Sequence, residues 1–185
     1  WKSLYDSKSG ERGIFSRYAC QNIAARNGRR DAAFDFGTNP CSEIILRPYQ
    51  FCNLTELVAR STDTHDSLQR KVRLATILGT FQATLTDFPY LRKIWQKNTE
   101  EERLLGVSIT GILDCPLINN PDDEKLSTTL KQLRDLAIST NAEFAAQLGI
   151  NPSTAITCVK PSGTVSQLVD SSSGIHARHS AYYVR

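Results

Sequence analysis

The chain has 185 residues, 40% of them hydrophobic and 22% charged, which is enough for one domain with a sizeable core and ordinary for a globular protein. A formal charge of +3 with no clustered Lys/Arg stripe argues against nucleic acid as the main partner. No apolar run approaches the ~20 residues that span a bilayer, and no charged-then-apolar leader stands at the N-terminus, so the expectation is a cytosolic protein with no membrane partner.

The first 37 residues are polar and Gly-rich with no sustained period, which predicts loops and short elements. Their densest basic patch, Arg26, Arg29 and Arg30, surrounds the turn pair Asn27-Gly28 and is expected to be a solvated loop. Glu43 to Leu46 predicts a short strand after the Asn39-Pro40 turn, and Phe51 to Val58 a second extended piece. Thr64 or Asp66 can cap a helix whose apolar stripe is Leu68, Val72, Ala75, Leu78 and Phe81. Beyond Pro89, Leu91 to Arg103 predicts another helix, with Glu100, Glu101 and Glu102 as a solvated face. Leu104 to Leu113 has the length and composition of a buried strand running into a turn. After Pro121 a long helix is expected, carrying Leu126, Leu130, Leu133, Leu136, Ala137, Phe144 and Leu148 and ending at Gly149. Ala155 to Val159 predicts a buried strand, and Lys160 to Thr164 a tight turn opening a further element. Helices alternating with short apolar strands indicate an α/β architecture.

Five cysteines, Cys20, Cys41, Cys52, Cys115 and Cys158, make an odd number without a CxxC pair, so a disulfide framework is not expected. The short ligand spacings of a zinc site are absent and His65, His176 and His179 stand far from most of the cysteines, so no metal is assigned to the segment. Cys115 and Cys158 read as buried or turn thiols. The chain starts at Trp1, contains no methionine and stops at Val184-Arg185, which raises the expectation of a segment of a longer protein.

Three constellations carry chemistry. In Asn39-Pro40-Cys41-Ser42-Glu43 an extended backbone would put an amide, a thiol and a carboxylate on one face, joining a sulfur reactant, a general base and a neutral hydrogen-bonding group. Taken alone, the motif favours the plainer reading of a turn beside a small buried thiol. Phe51-Cys52-Asn53-Leu54 sets a second thiol 11 residues after Cys41, a spacing that permits the two sulfurs to share a pocket without requiring it. Lys160-Pro161-Ser162-Gly163-Thr164-Val165-Ser166 follows a predicted strand and can present backbone N–H groups and hydroxyls to an anion, although the Gly-Lys-Ser/Thr ending of a Walker loop is absent and, standing alone, the motif favours a plain turn.

Asn39-Pro40-Cys41-Ser42-Glu43-Ile44 followed by Phe51-Cys52-Asn53-Leu54 resembles, in order and spacing, the active-site stretch of ribonucleotide reductase large chains. The resemblance runs from about Gly10 to Arg185 and is sharp near residues 39 to 54 and 160 to 180. It implies part of a ten-stranded α/β barrel with a central finger loop. Residues 1–185 would form one partial catalytic barrel domain, with the finger loop and redox cysteine at 37–58 and the phosphate loop at 155–180. Cys41 would carry a transient thiyl radical and abstract the ribose 3′ hydrogen, Glu43 would take the 3′ hydroxyl proton, and Asn39 would hold the substrate hydroxyls. Cys52 would be one of two cysteines that deliver electrons and end as a disulfide, re-reduced by a thioredoxin-type donor or external thiol. No cysteine here has the context of the second one, Cys20 included; it is expected upstream. Ser162, Gly163, Thr164 and Val165, with Ser166 as a weaker member, would cradle the substrate's phosphates.

The implied reaction is reduction of ribonucleoside di- or triphosphates to 2′-deoxyribonucleotides, supplying DNA synthesis in the cytoplasm, or in the host cytoplasm if the protein is viral. The segment alone is expected to be inactive. Phe51 to Glu56 and Ser173 to Arg185 are similar to the adenosylcobalamin-dependent class. One alternative is a large chain that receives its radical from a metal-containing small subunit; Tyr182-Tyr183 resembles the radical-relay pair of such enzymes but follows the phosphate loop too soon and is given no role. The glycyl-radical class is disfavoured by Glu43. A second alternative is a non-catalytic nucleotide-binding module.

Overall fold

The computed structural model describes residues 1–9, 13–26, 28–180 and 182; Gly10, Asn27, Tyr183 and Arg185, which figure in the expectations above, lie outside them. In chain order the elements are α1 (Lys2–Ser7), α2 (Arg17–Arg26), β1 (Gly37–Thr38), β2 (Ile45–Leu46), β3 (Leu54–Val58), α3 (His65–Gln82), α4 (Lys93–Glu102), β4 (Gly106–Thr110), a 3₁₀ turn (Ile112–Asp114), α5 (Leu126–Leu148) and α6 (Val165–Leu168). The architecture is mixed α/β.

The frame is a parallel pair, β3 and β4, running in register from Leu54 opposite Gly106 to Val58 opposite Thr110, with α3 and α4 in the crossover between them. A third segment continues the pair beyond β4. Thr157 bridges Val107 in parallel, Val107 N donates to Ile156 O and Cys158 N donates to Val107 O. Leu105 N, however, donates to Ala155 O, one residue off the parallel pattern, and this slip confines the predicted strand 155–159 to a single bridge. It is half-buried: Ile156 points in, whereas Val159 is exposed.

Helix α3 starts where the sequence indicates, with Thr64 and Ser67 exchanging cap hydrogen bonds. Its buried face departs from the predicted stripe. Leu68 and Val72 are in the core, but the next buried positions are Thr76, Gly79 and Thr80, and Leu78 and Phe81 face outward. Small residues win because this part of the helix lies close to its neighbours; a Cβ on Gly79 would stand 2.2 Å from Leu105 Cδ1. The threonine hydroxyls are satisfied along the helix, Thr76 donating to Val72 O and Thr80 to Thr76 O. Asn141 on α5 donates to Thr80 and Ser153 and accepts from Ser153 N, sealing a polar seam beside the apolar core of Leu57, Leu68, Val107, Leu133 and Ala137. Gly149 ends α5 with φ +67, the left-handed cap glycine adopts without strain.

Two expectations for charged residues are corrected. Arg30 is not on a solvated loop and Glu102 is not on a solvated face: both side chains are at most 5% exposed and lie 2.8 Å apart. The guanidinium makes a two-pronged contact through Nε and Nη2 with both oxygens of Glu102, lies over the Phe36 ring and donates to Ile45 O. The N-terminal stretch is also more regular than its composition predicts, because Cys20 and Ala24 on α2 pack against Phe36. No helix among the described residues is long and apolar enough to cross a membrane.

Candidate active site

β1 and β2 form a minimal antiparallel pair, Gly37 opposite Leu46 and Thr38 opposite Ile45, whose only task is to pin the ends of the loop carrying Asn39, Cys41 and Glu43. That loop is not extended, as a shared strand face would require. Ser42 N donates to Asn39 O and Asn39 N to Ile44 O, with Ser42 at φ +63, so Cys41 sits at the tip of a turn, exposed. The buried Asn39 staples the turn from inside. Its Oδ1 accepts from Ile44 N at 3.1 Å and its Nδ2 donates to Glu43 Oε1 at 2.7 Å.

Lys160, from the segment following the bridged strand, completes the cluster. Its ammonium is 2.9 Å from Glu43 Oε1 and 3.5 Å from Cys41 Sγ. Burial opposes ionisation of Glu43, yet hydrogen bonds from Lys160, its own backbone N–H and Asn39, with the Lys160 charge, outweigh burial and hold the carboxyl below the usual glutamate range. Reciprocally, the bond to Glu43 raises Lys160. Glu43 Oε2 is buried with no hydrogen-bond partner. The site thus offers an exposed thiol, a carboxylate with one doubly engaged oxygen and one buried oxygen without a partner, and a cation touching both groups.

Cys52 is exposed in the extended approach to β3 and lines a cavity of about 260 Å³ with Phe51, Asn53, Phe88 and Arg103. Cys158 is partly buried; desolvation, then the neighbouring charges of Glu43, Cys52 and Glu56, push its thiol up to about 12, which keeps it protonated at neutral pH. The sequence linked neither Cys158 nor Lys160 to the cysteine loop. The signal available was only that Lys160 is the first charged residue after a strand beginning on the far side of β4.

The loop 160–166 turns through Gly163 at φ +61, with open space where a Cβ would lie. Ser162 is buried and its Oγ donates to Glu56 Oε1 on β3 at 2.7 Å. Thr164 and Val165 are exposed at the start of α6, which is only four residues long. Ser166 is fully buried with its hydroxyl turned to Gly163 O. The following residues fold back: Gly174 packs against Lys160 O, and Arg178 bridges Asp114 and Asp170. Among the described residues no group of three or more His, Cys, Asp or Glu side chains is arranged to hold a metal ion.

No family model matches the chain. It is 32% identical over 175 residues, covering 80% of this chain and 23% of the relative, to the adenosylcobalamin-dependent ribonucleoside-triphosphate reductase of Lactobacillus acidophilus. The Euglena gracilis protein of the same name is 29% identical and covers 96% of this chain, and that of Lactobacillus leichmannii is 27% identical over 205 residues. The chain spans about a quarter of the length of these relatives. A crystal structure of a B12-dependent, class II ribonucleotide reductase superposes on 76% of this chain and 22% of that one, with a TM-score of 0.63 and 27% sequence identity.

Proposed function

The chain belongs to the ribonucleotide reductase family, and on that premise we propose that it is part of the catalytic barrel of an adenosylcobalamin-dependent enzyme reducing ribonucleoside di- or triphosphates. In this reading residues 37–58 hold the finger loop and one redox cysteine, and residues 155–180 hold the phosphate loop. The observation that carries it is the meeting of Cys41, Asn39 and Glu43 at one turn, with Lys160, the residue leading into loop 160–166, against them.

The exposed Cys41 thiol fits a partner group that must reach its sulfur, and no residue of this segment is assigned as a ligand of that group. When bound, adenosylcobalamin supplies the radical equivalent that turns the thiol into a thiyl. Cys41 Sγ then takes the 3′ hydrogen, an S–H bond forming as C3′–H breaks and the radical moving to C3′. Glu43 Oε2, buried and without a partner, accepts the 3′ hydroxyl proton. Asn39 spends one N–H on Glu43 and its oxygen on Ile44, which leaves its second N–H for a substrate hydroxyl. One thiol of the redox pair formed by Cys52 and a second cysteine protonates the 2′ hydroxyl, which leaves as water as the C2′–O bond breaks. The other thiol's hydrogen goes to C2′ as the two sulfurs join in a disulfide, Glu43 returns its proton to the 3′ oxygen, and Cys41 returns its hydrogen to C3′. The balance is one ribonucleotide plus two thiols giving one deoxyribonucleotide, one disulfide and water. A thioredoxin-type donor would reset the disulfide. The cellular setting would be the cytoplasm.

Anaerobic reduction of CTP and CDP by the full-length protein with a dithiol, with and without adenosylcobalamin, tests this. Cobalamin-dependent product abolished in Cys41→Ser is the expected result. Activity that instead requires a metal-loaded small subunit would keep the Cys41 chemistry and overturn the cofactor; silence under both conditions would favour a non-catalytic nucleotide-binding module.

A further inference from the structure

We propose that Lys160 is a positioning residue of this reaction, fastening one oxygen of Glu43 so that the other alone faces the substrate as proton acceptor. The inference rests on the reading of Cys41 and Glu43 just given.

A carboxylate has two equivalent oxygens, and a general base is useful only if one is free and aimed while the group stays ionised. Here Oε1 receives both Asn39 Nδ2 and Lys160 Nζ, whereas Oε2 is buried and receives nothing. The Glu43 side chain is 6% exposed and that of Lys160 is 24% exposed, so water screens the contact little on the carboxylate side. Without Lys160, desolvation would act on Glu43 with only Asn39 and its own backbone opposing it. Other groups near Glu43 are not substitutes. Cys41 from its own loop and Cys158 from the bridged strand carry no positive charge in either protonation state. Arg29, Arg30 and Arg134 line the same cavity of about 190 Å³, but Arg30 is committed to Glu102, and the only salt bridge to Glu43 among the described residues comes from Lys160. The same ammonium reaches Cys41 Sγ, so one side chain sets the spacing between the sulfur and the base.

The full-length protein and its Lys160→Met and Lys160→Arg variants are compared by the pH dependence of kcat/KM for CTP reduction, and separately by infrared titration of the Glu43 carboxyl, assigned by subtraction of Glu43→Gln. Loss of the cation raises the Glu43 pKa, so the carboxylate protonates at higher pH and the acid limb moves upward. The expected result is a rise of about one pH unit or more in Lys160→Met, a tenfold change in proton affinity, in both measurements, with Lys160→Arg restoring most of it. A Lys160→Met variant whose KM rises equally at every pH while the limb and the infrared titration stay unchanged would overturn the proposal, making Lys160 a phosphate contact. Unaltered kinetics would overturn it as well. If the unsubstituted protein reduces no ribonucleotide, the functional reading fails, and the infrared titration still decides whether Lys160 governs the charge of Glu43.

Discussion

Two buried carboxylates, Glu102 and Glu43, each lie against a cation, and they are saturated to opposite ends. Glu102 receives Arg30 on both oxygens and Gln50 on one of them; both oxygens are engaged, and the pair ties the N-terminal region to α4. Glu43 receives two side-chain donors, Asn39 and Lys160, on one oxygen, while the other has no hydrogen-bond partner. A closed pair is what a fold needs, because any unpaired lone pair in a low-dielectric interior costs free energy. The open pair carries that cost in the substrate-free state, and a substrate hydroxyl is the group that would remove it. Unequal saturation therefore separates the Arg30–Glu102 pair from the Lys160–Glu43 pair, and under the proposed function the second is the reactive one.

The largest expected effect breaks the open pair. Glu43→Gln in the full-length protein keeps the shape and the Asn39 contact but removes the base, and turnover should fall about 100-fold or more, read by deoxynucleotide formation; unaltered turnover would remove Glu43 from the mechanism. Breaking the closed pair should instead cost stability. Arg30→Met leaves Glu102 buried and uncompensated, so urea unfolding should show a loss of about 3–5 kcal/mol, whereas the double variant Arg30→Met, Glu102→Met should recover most of it. Smaller is the effect on the close packing of α3: Gly79→Ala drives a methyl into Leu105 and should cost about 1–3 kcal/mol in the same assay.

Acid titration gives a smaller effect. Glu43, Asp63 and Asp114 are all held below the ordinary carboxyl range: burial opposes ionisation in each, and hydrogen bonds led by Lys160, Lys71 and Arg178 respectively outweigh it. A depressed folded pKa contributes stability above the unfolded value, about pH 4, and loses it as pH falls through the folded one. Asp63→Asn should therefore lower stability at neutral pH and flatten its acid dependence, measured as unfolding midpoints from pH 7 to pH 3. The smallest effect is local: Thr64→Ala deletes the α3 cap hydroxyl and should cost about 1 kcal/mol, leaving turnover unchanged.

Local chemistry was readable from the chain wherever the cause is local. The Thr64 cap, the Gly149 stop, the strand at Leu54–Val58 and the turn through Gly163 follow from short-range backbone preferences. The Asn39-Pro40-Cys41-Ser42-Glu43 motif marked the candidate site residues, but its geometry was misjudged: alternation along an extended strand would align the three side chains, whereas a left-handed Ser42 makes a turn in which Asn39 binds Glu43 directly. Burial of α3 was misread past Val72 because periodicity counts apolar residues, while the helix contact selects the small and self-satisfied Thr76, Gly79 and Thr80.

The sequence by itself determined which residues stand as candidates for radical and acid–base chemistry, and where several helices and turns begin and end, since both depend on side chains within a few positions of one another. Which charges meet was decided only by the tertiary structure. Lys160 is 117 residues from Glu43 and Arg30 is 72 from Glu102, and no local preference favours either pairing over solvation. Lys160 reaches Glu43 because the segment bridged in parallel to β4 at Thr157 leads it against the loop carrying Glu43, and Arg30 reaches Glu102 because the stretch after α2 packs against the end of α4; in each case a buried carboxylate must find a cation.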